Sequence, residues 1–295
     1  MPTPIPHVRE LAADYGVFRD VTPNVRRVLA RNPGAFTFHG TGTYVVGRGR
    51  VAVIDPGPEL AEHIAALVGL LRGETVSHIV CTHTHRDHSP AARALKAATG
   101  AAIWGCGPHG GDRSGEGVEE GADWAHAPDH LMTEGDAVTG PGWTLRAVAT
   151  PGHTSNHLCF ALPEDRALLT GDHVMGWSTT IVSPPDGDMR AYMDSLAKVL
   201  AREERVLIPT HGPPVTDPKP YVRALIAHRR EREDEILGAI ADGLGQIPAM
   251  VARIYAQIDK RLHSAAARSV LAHLVKLEAE GRVRRRGEDW SLGRG

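Results

Sequence analysis

Four side chains that can bind metal ions lie within six residues of this chain. Residues 82–89 read Thr-His-Thr-His-Arg-Asp-His-Ser and place His83, His85, Asp87 and His88 directly after an apolar run. Neutral imidazole and carboxylate are ligands that suit zinc and similar divalent cations. Buried without a metal ion, these groups would need other hydrogen-bond partners, and protonated imidazoles would repel one another. The segment therefore predicts a metal site just after a strand.

Three later segments place the same chemistry after predicted strands. His153 lies in TPGHTSNH, Asp172 in LLTGDH and His211 in IPTHGPP, each near a glycine that lets the backbone approach a site closely. A solvated, His-rich turn would explain the first segment alone, but it would not explain the same pattern at three further strand ends. We therefore expect all of these side chains to converge on one centre.

The hydrophobic pattern predicts alternating strands and helices. Two β-branched runs flank Gly-Arg-Gly at residues 47–49 and predict a hairpin. In the segment SPAARALKAATG, Ser89 is the predicted helix N-cap, Pro90 the first helical residue and Gly100 the stop. Strands that alternate with helices indicate an α/β layered fold. Further strands are predicted at residues 76–82, 101–105, 143–150, 157–163, 166–172 and 205–212, and further helices at residues 58–72 and 189–201.

The chain divides into two predicted domains. A Pro-rich break at residues 213–220 separates residues 1–220 from residues 221–295. After a long amphipathic helix, the second domain shows a helix, a longer helix and a β-hairpin, which is the order of a winged-helix module. In the first domain, the Gly-rich residues 107–130 predict a long surface loop beside the site.

Length and composition allow a large folded core and argue against charge-driven binding. The chain has 295 residues, of which 42% are hydrophobic. A formal net charge of −2 argues against a wholly electrostatic binder of nucleic acid or membranes. Of the 33 Lys and Arg, 14 fall in residues 221–295, and of the 35 Asp and Glu, 10 do. The tail is therefore mildly basic and the body mildly acidic.

Cysteine usage and hydropathy predict a cytoplasmic protein. Cys81, Cys106 and Cys159 show no disulfide pattern, which fits a reducing compartment. The first residues contain no apolar signal region, and no stretch reaches the roughly 18 apolar residues that span a bilayer. We expect Cys81 only to pack within its strand.

The motifs together resemble the metallo-β-lactamase superfamily. The likeness covers roughly residues 20–215 and implies an αββα sandwich, in which two mixed sheets face each other with helices outside and a dinuclear site at one edge. It also implies which side chains bind the metal ions. One ion would be bound by His83, His85 and His153, the other by Asp87, His88 and His211, and both by the bridging Asp172.

The segments NPGAFTFHGTGTYVVG, THTHRDHS and TPGHTSNH, with the winged-helix tail, are similar to the β-lactamase-like protein 2 branch of that superfamily. Its animal member is an endoribonuclease of mitochondria that prefers single strands. The resemblance implies two divalent cations, zinc in the first place and iron or manganese as alternatives. Two such ions can share a hydroxide that attacks carbon or phosphorus. Asp87 is a ligand that could also orient this nucleophile.

Several other side chains are candidates for supporting roles, each weighed against ordinary turn formation or packing. Thr82, Thr84 and Thr154 could fix the imidazoles. Two histidines beside predicted ligands, His157 and His173, could position them or donate protons. Three residues after Asp172 could line the substrate pocket, namely Ser178, Thr179 and Thr180.

The substrate stays open among three hypotheses. The resemblance favours single-stranded RNA, and the acidic body favours a small carbonyl substrate such as a thioester or lactone, as in glyoxalase II-like hydrolases. A DNA-binding protein with a structural metal is the third, and a homo-oligomer is compatible with all three. Arginines in the terminal hairpin could bind nucleic acid, but we favour a solvated hairpin whose tryptophan packs on a helix; these residues are Arg282, Arg284, Arg285, Arg286 and Trp290.

Overall fold

The computed structural model describes residues 4–110 and 121–293, and within them two large sheets form the centre of the first domain. The first sheet keeps its strands in chain order. The first four strands pair antiparallel and the last four pair parallel. The strands are β1 (Phe18–Thr22), β2 (Val25–Leu29), β3 (Gly42–Val46), β4 (Arg50–Ile54), β5 (Thr75–Cys81), β6 (Ala102–Gly105) and β7 (His130–Leu131).

The second sheet has the strand order β12-β11-β10-β9-β8. Its pairs are antiparallel except for β11 and β12, which are parallel. The crossover between those two strands contains a helix, as parallel neighbours require. The strands are β8 (Ala137–Gly140), β9 (Trp143–Ala149), β10 (Leu158–Leu162), β11 (Ala167–Gly171) and β12 (Val206–Pro209).

Six α-helices surround the sheets or follow them in the described residues. They are α1 (Ala61–Leu70), α2 (Ala91–Thr99), α3 (Met189–Leu200), α4 (Pro218–Ala241), α5 (Ile247–Ile254) and α6 (His263–Ala279). A terminal hairpin of β13 (Val283–Arg286) and β14 (Asp289–Leu292) completes the second domain.

The main hydrophobic core lies between the two sheets. Val45 and Ile54 of the first sheet share one buried cluster with Leu145, Phe160 and Leu169 of the second. Both faces of strands such as β3 and β10 are buried, which explains their continuous apolar runs in the sequence. The predicted αββα sandwich is confirmed.

The outer face of the second sheet is covered by α3 and α4. Leu168 of β11 belongs to a second buried cluster with Leu196 of α3 and Leu225 of α4. On the first sheet, α2 packs against β5 and β6. The hairpin predicted around residues 47–49 joins β3 to β4, and its two glycines adopt positive φ angles that other residues rarely accept.

Two predicted helix starts are wrong in detail. Ser89 does not cap α2, because the helix begins at Ala91 and the Ser89 hydroxyl donates to Asp123 instead. Gly100 ends the helix in the left-handed conformation, as predicted. The Pro-rich break is shorter than expected, since α4 begins at Pro218; proline is tolerated in a first turn, where no backbone N–H is needed.

The second domain has the predicted order of helix, helix and hairpin. Its core contains Met250 of α5, Leu274 of α6 and Trp290 of the hairpin. Helix α4 contributes to both domains, because Leu225 packs on the sandwich and Ile236 packs in the small core. Trp290 is only 4% exposed, so it packs as we expected and offers no surface for stacking a base.

The segment predicted as a surface loop is partly buried. Residues 111–120 lie outside the described residues, but Ala122, Asp123 and His126 are buried. Ala122 forms an isolated β-bridge with His85, and Asp123 accepts hydrogen bonds from Ser89 and Arg93. This end of the segment therefore lies against the metal-binding motif rather than over the surface.

The three cysteines are free and buried, and Cys81 packs in the main core. Within the described part of the chain, no helix combines the length and the apolar character needed to cross a membrane.

Candidate metal centre

The structure brings the predicted metal-binding side chains together at one edge of the sandwich. They follow the ends of β5, β9, β11 and β12, which all point to this edge. Among them His85 is the most exposed, at 9%, so the group is almost closed to solvent. We call this group the ligand cluster, and its members are His83, His85, Asp87, His88, His153, Asp172 and His211.

One half of the ligand cluster consists of three imidazoles. The Nε2 atoms of His83 and His153 each lie 3.1 Å from Nδ1 of His85. Burial, reinforced by the neighbouring histidines, holds the pKa values of His83 and His85 well below their ordinary value. The three rings are therefore neutral near pH 7, and their nitrogen lone pairs converge on a common point.

The other half combines imidazoles with carboxylates. Oδ2 of Asp87 lies 3.0 Å from Nε2 of His211 and 3.3 Å from Nε2 of His88. Burial lowers the pKa of His211, but Asp172 and Asp87 outweigh it and raise the pKa to about 10. Burial likewise opposes the charged form of His88, yet the same carboxylates hold its pKa well above the ordinary value. This half therefore favours positive charge between its carboxylates.

Asp172 lies between the two halves. Its Oδ2 atom is 3.4 Å from Nε2 of His211, 3.5 Å from Nε2 of His88 and 3.7 Å from Nε2 of His153. Imidazoles of both halves thus approach the same carboxylate oxygen. Burial raises the pKa of Asp172, but His211 and His88 reverse this and hold it well below the ordinary value, so the carboxylate stays ionised.

Two buried polar atoms in the ligand cluster lack a hydrogen-bond partner. They are Nε2 of His88 and Oδ1 of Asp172. Buried polar atoms are nearly always satisfied, and leaving one unpaired costs about 1–3 kcal/mol. A neutral imidazole nitrogen and a carboxylate oxygen are both metal ligands. The unpaired atoms and the donor types therefore fit divalent cations.

Asp55 is a supporting residue that the sequence did not reveal. Its Oδ2 atom lies 2.9 Å from Nδ1 of His88 and accepts hydrogen bonds from the hydroxyls of Thr82 and Thr210. Thr82 in turn lies 3.0 Å from Nδ1 of His83. One carboxylate thus orients two imidazoles from behind, which leaves their Nε2 atoms to face the centre.

The conformation of Asp55 is itself unusual. It follows the end of β4 with a φ of 46°, in the left-handed region, and it is completely buried. Residues other than glycine rarely adopt this conformation, and those that do often lie at functional sites. The only sequence signal was an aspartate just after a strand and before Pro56-Gly57, which reads equally well as an ordinary turn.

The predicted supporting threonines divide into two groups. Thr82 contacts His83, as described above. The Thr84 hydroxyl lies 2.9 Å from Nδ1 of His109, and Thr154 donates to Asn156. Those two contacts organise the loops around the ligand cluster without touching its imidazoles.

The two histidines beside predicted ligands also occupy different positions. The backbone N–H of Asp172 donates to Nε2 of His157 at 3.2 Å, so His157 holds the loop that carries this carboxylate. His173 points away and lies 5.1 Å, ring to ring, from Tyr192; burial lowers its pKa to about 3. A neutral, buried His173 contributes to packing behind the loop.

A small cavity opens from the ligand cluster, and we call it the inner cavity. Its walls add three apolar side chains to cluster members, namely Phe36, Met175 and Ile181. Thr180 is buried, and its hydroxyl donates to the carbonyl of Asp172. Ser178 donates to the neighbouring carbonyl of Thr179. These contacts hold the turn that presents Ile181, and the substrate contacts predicted for residues 178–180 stay a prediction.

Comparison with known proteins places the chain in a family. The model of the Metallo-beta-lactamase superfamily matches residues 37–211, more than half of the chain. The model of the Beta-lactamase associated winged helix domain matches residues 247–290. The chain belongs to the metallo-β-lactamase superfamily and is a hydrolase with a winged-helix domain.

Individual relatives resemble most of the chain. A Beta-lactamase-like protein 2 homolog of Drosophila melanogaster is 32% identical over 282 residues, which cover 90% of this chain and 91% of the relative. An atrochrysone carboxyl ACP thioesterase of Cryptosporiopsis is also 32% identical, over 78% of this chain and 67% of its own. A solved beta-lactamase domain protein from Burkholderia ambifaria covers 94% of both chains with a TM-score of 0.76 and 19% identity, a likeness of fold alone.

Proposed function

We propose that this chain is a dinuclear metal-dependent hydrolase of a small acyl substrate, and that a thioester is the substrate class that fits best. The proposal has two parts, the metal centre and the substrate. The ligand cluster supports the first, and the walls of the inner cavity support the second.

The ligand cluster divides naturally between two divalent cations. Asp172, whose Oδ2 approaches both halves, would bridge the two ions. Zinc suits a mixture of imidazole and carboxylate, and iron and manganese are the alternatives. His83, His85 and His153 would hold one ion, and Asp87, His88 and His211 the other.

The protein's own residues prepare this centre for hydrolysis. Two divalent cations, when bound, would supply Lewis acidity and lower the pKa of water. Asp55 accepts the Nδ1 proton of His88 and leaves Nε2 as the ligand atom. Ile181 contributes its carbonyl, 2.7 Å from Nδ1 of His153, and this contact fixes the orientation of that ring in the same way. The nearly closed edge keeps bulk water away from the reacting bond.

The composition of the inner cavity carries the substrate proposal. Among the described residues, its lining holds three apolar side chains and members of the ligand cluster, but no lysine or arginine. A phosphodiester substrate is usually held by such cations along its backbone. The cavity has a volume of about 20 Å³, which admits only the reacting group, and its apolar walls suit the carbon atoms next to an acyl carbonyl better than a phosphodiester backbone.

Two further observations support an acyl substrate. One relative of 32% identity carries the name of an acyl-carrier-protein thioesterase. The first domain, which surrounds the centre, is also mildly acidic, and this charge would oppose a long polyanion. Seven converging ligands exceed the four of a closed structural zinc site, so a purely structural metal is not supported.

A panel of substrates tests the proposed function. The purified full chain is loaded with zinc and incubated with acyl thioesters, lactones and single-stranded RNA, and a His85→Ala variant is treated identically. We expect thioester hydrolysis by the wild type and almost none by the variant. Metal analysis of the same samples should find two ions per chain. Turnover that persists in the variant, or a wild type that binds no metal, would contradict the proposal.

Single-stranded RNA is the second candidate. The observation that favours it lies outside the inner cavity, where Arg261 and Arg268 border a wider cleft. If RNA is cleaved in the panel and thioesters are not, the endoribonuclease hypothesis replaces the acyl hypothesis while the metal centre stays the same.

A further inference from the structure

A second, larger cavity lies immediately outside the inner cavity, and we call it the outer cleft. Its volume is about 670 Å³, which is within the range of small-molecule sites. The loop before β3 forms one wall, and the segment that leads into α6 of the winged-helix domain forms the other. The wall residues include Phe36, Asp259, Arg261, Leu262, Ser264 and Arg268, so one carboxylate and two guanidinium groups border the cleft.

Phe36 connects the two cavities. The same side chain lines the inner cavity beside the ligand cluster and the outer cleft beside the winged-helix domain. Because the volume of the inner cavity is only about 20 Å³, a larger substrate whose carbonyl lies at the ligand cluster would extend past Phe36 into the outer cleft. Residues of the C-terminal domain thus line a cavity that shares a wall residue with the inner cavity.

The two arginines of the outer cleft differ in their charge balance. Arg261 is paired with Asp259, whose Oδ2 lies 2.9 Å from Nε and 2.6 Å from Nη2. Arg268 donates from Nη1 to the carbonyl of Pro184 at 3.1 Å. Among the described residues, no carboxylate lies within ion-pair distance of Arg268. Its positive charge therefore stays uncompensated in the cleft.

A half-buried guanidinium of this kind is suited to bind an anion. Its planar N–H groups match the oxygens of a carboxylate or a phosphate, and the bonds are charge-assisted. The Pro184 carbonyl holds Nη1 and restricts how the group can turn. Arg268 can therefore meet a negatively charged group without first ordering a mobile side chain.

We propose that Arg268 is a specificity-determining residue that binds an anionic group on the acyl thioester whose carbonyl lies in the inner cavity. This inference rests on the proposed function. The anion is a carboxylate on the acyl part or a phosphate on the thiol part, since both present the same oxygens. In the reaction, water oxygen bonds to the carbonyl carbon, the C–S bond breaks, and the thiol leaves with a proton.

Three thioesters show whether the anionic group that Arg268 binds lies on the acyl part or on the thiol part of the substrate. Butyryl-N-acetylcysteamine is neutral, succinyl-N-acetylcysteamine carries a carboxylate on the acyl part, and butyryl-4′-phosphopantetheine carries a phosphate on the thiol part. We expect the wild type to prefer one of the two anionic esters. Arg268→Gln should reduce the ratio of kcat/KM for that ester to kcat/KM for the neutral ester at least tenfold, through KM.

Two further variants act as controls. Arg268→Lys keeps the charge and an N–H donor to Pro184, so we expect it to recover part of the preference, and urea unfolding checks that both variants fold. Arg261→Gln removes an equal charge from the same cleft. Because Asp259 already neutralises Arg261, this change should reduce the ratio less than threefold. An equal loss in Arg261→Gln and Arg268→Gln would mean general electrostatics and would overturn the proposal.

A binding measurement separates this inference from the proposed function. Calorimetry with the zinc-loaded chain should show that 4′-phosphopantetheine or succinate binds at least tenfold more weakly to Arg268→Gln. If no thioester is cleaved but this difference persists, the proposed function fails and the anion site stands. If thioesters are cleaved with an unchanged ratio, the anion site fails alone. Cleavage of RNA that depends on Arg268 would overturn the acyl substrate.

Discussion

Two buried groups of charged side chains, one in each domain, balance their charges in different ways. In the ligand cluster, the ion-pair partners of Asp87 and Asp172 among the described residues are all imidazoles, and Asp172 keeps one oxygen unpaired. In the winged-helix domain, Glu233 meets Lys276 at 2.9 Å and His273 at 3.3 Å. We call Glu233 and its neighbours His273, Lys276 and Arg282 the Glu233 cluster.

The difference indicates what each group is for. A carboxylate buried among Lys and Arg side chains of the same chain is already neutralised. Removing one member of such a group leaves a buried charge without its partner. Carboxylates buried among imidazoles are balanced by exchangeable protons, as the raised pKa values of His88 and His211 indicate, and a divalent cation can replace those protons. We therefore infer that the ligand cluster is suited to accept a cation, whereas the Glu233 cluster is part of the scaffold.

The largest expected effect comes from breaking the ligand cluster. His85→Ala removes a proposed metal ligand, whose Nδ1 lies 3.1 Å from Nε2 of both His83 and His153, so we expect kcat/KM to fall roughly 1,000-fold or more, which corresponds to several kcal/mol of lost transition-state stabilisation. Steady-state hydrolysis measures the loss. A chelator should lower the activity of the wild type to the same extent. Added zinc should then restore the activity of the wild type but not that of the variant. His130→Ala, an exposed position outside the cluster, should stay within twofold.

Breaking the Glu233 cluster should affect stability and should be independent of metal. Glu233→Gln replaces the buried carboxylate by an amide and leaves Glu280 as the remaining ion-pair partner of Lys276 and Arg282, and we expect a loss of about 3 kcal/mol in the free energy of unfolding. Urea denaturation measures it, and excess zinc should leave the loss unchanged. Asp234→Asn, an exposed neighbour on the same helix, should cost less than about 0.5 kcal/mol. A loss below 1 kcal/mol for Glu233→Gln would remove the distinction between the clusters.

The sequence predicted the members of the ligand cluster because their chemistry is local. Imidazoles and carboxylates that directly follow strand ends are visible one segment at a time, and the strand ends meet when the sheets form. The Glu233 cluster has no such signal. Glu233 lies within Arg-Arg-Glu-Arg-Glu-Asp-Glu, where every residue looks like a solvated helix surface until α6 packs against it.

A third change tests how the ligand cluster is supported. Asp55→Asn keeps the shape and tolerates the left-handed backbone, but it removes the charge that orients His88 and Thr82. We expect metal affinity to fall about 10- to 100-fold, measured by competition with a fluorescent chelator. Asp123→Asn is the control, because this buried carboxylate pairs with Arg93 and Ser89, neither of which belongs to the ligand cluster. Equal affinities for Asp55→Asn and the wild type would show that Asp55 only supports the turn.

The role of Asp55 and the residues of the cavity walls could not be predicted from the sequence. The role of Asp55 depends on residues 27 and 33 positions away, which only the pairing of β4 with β5 brings close. Phe36 and Ile181 are ordinary apolar residues in loops, and no periodicity marks them as walls of a cavity. Ligand chemistry is therefore predictable from this sequence, whereas the shape that selects the substrate is a property of the packed structure.

The smallest expected effect is the pH dependence of the stability that the Glu233 cluster contributes. Burial lowers the pKa of His273 from 6.5 to about 4, so the unfolded chain takes up this proton at a higher pH than the folded chain. The stability from His273 is therefore complete above pH 6.5 and is lost as the pH falls toward 4. Glu233, whose pKa is lowered by its hydrogen bonds to His273 and Lys276 against the opposing effect of burial, acts in the same direction. Between pH 7.5 and pH 5 the metal-free wild type should lose about 1 kcal/mol more than His273→Gln in urea denaturation; equal losses would mean that His273 is not buried in its neutral form.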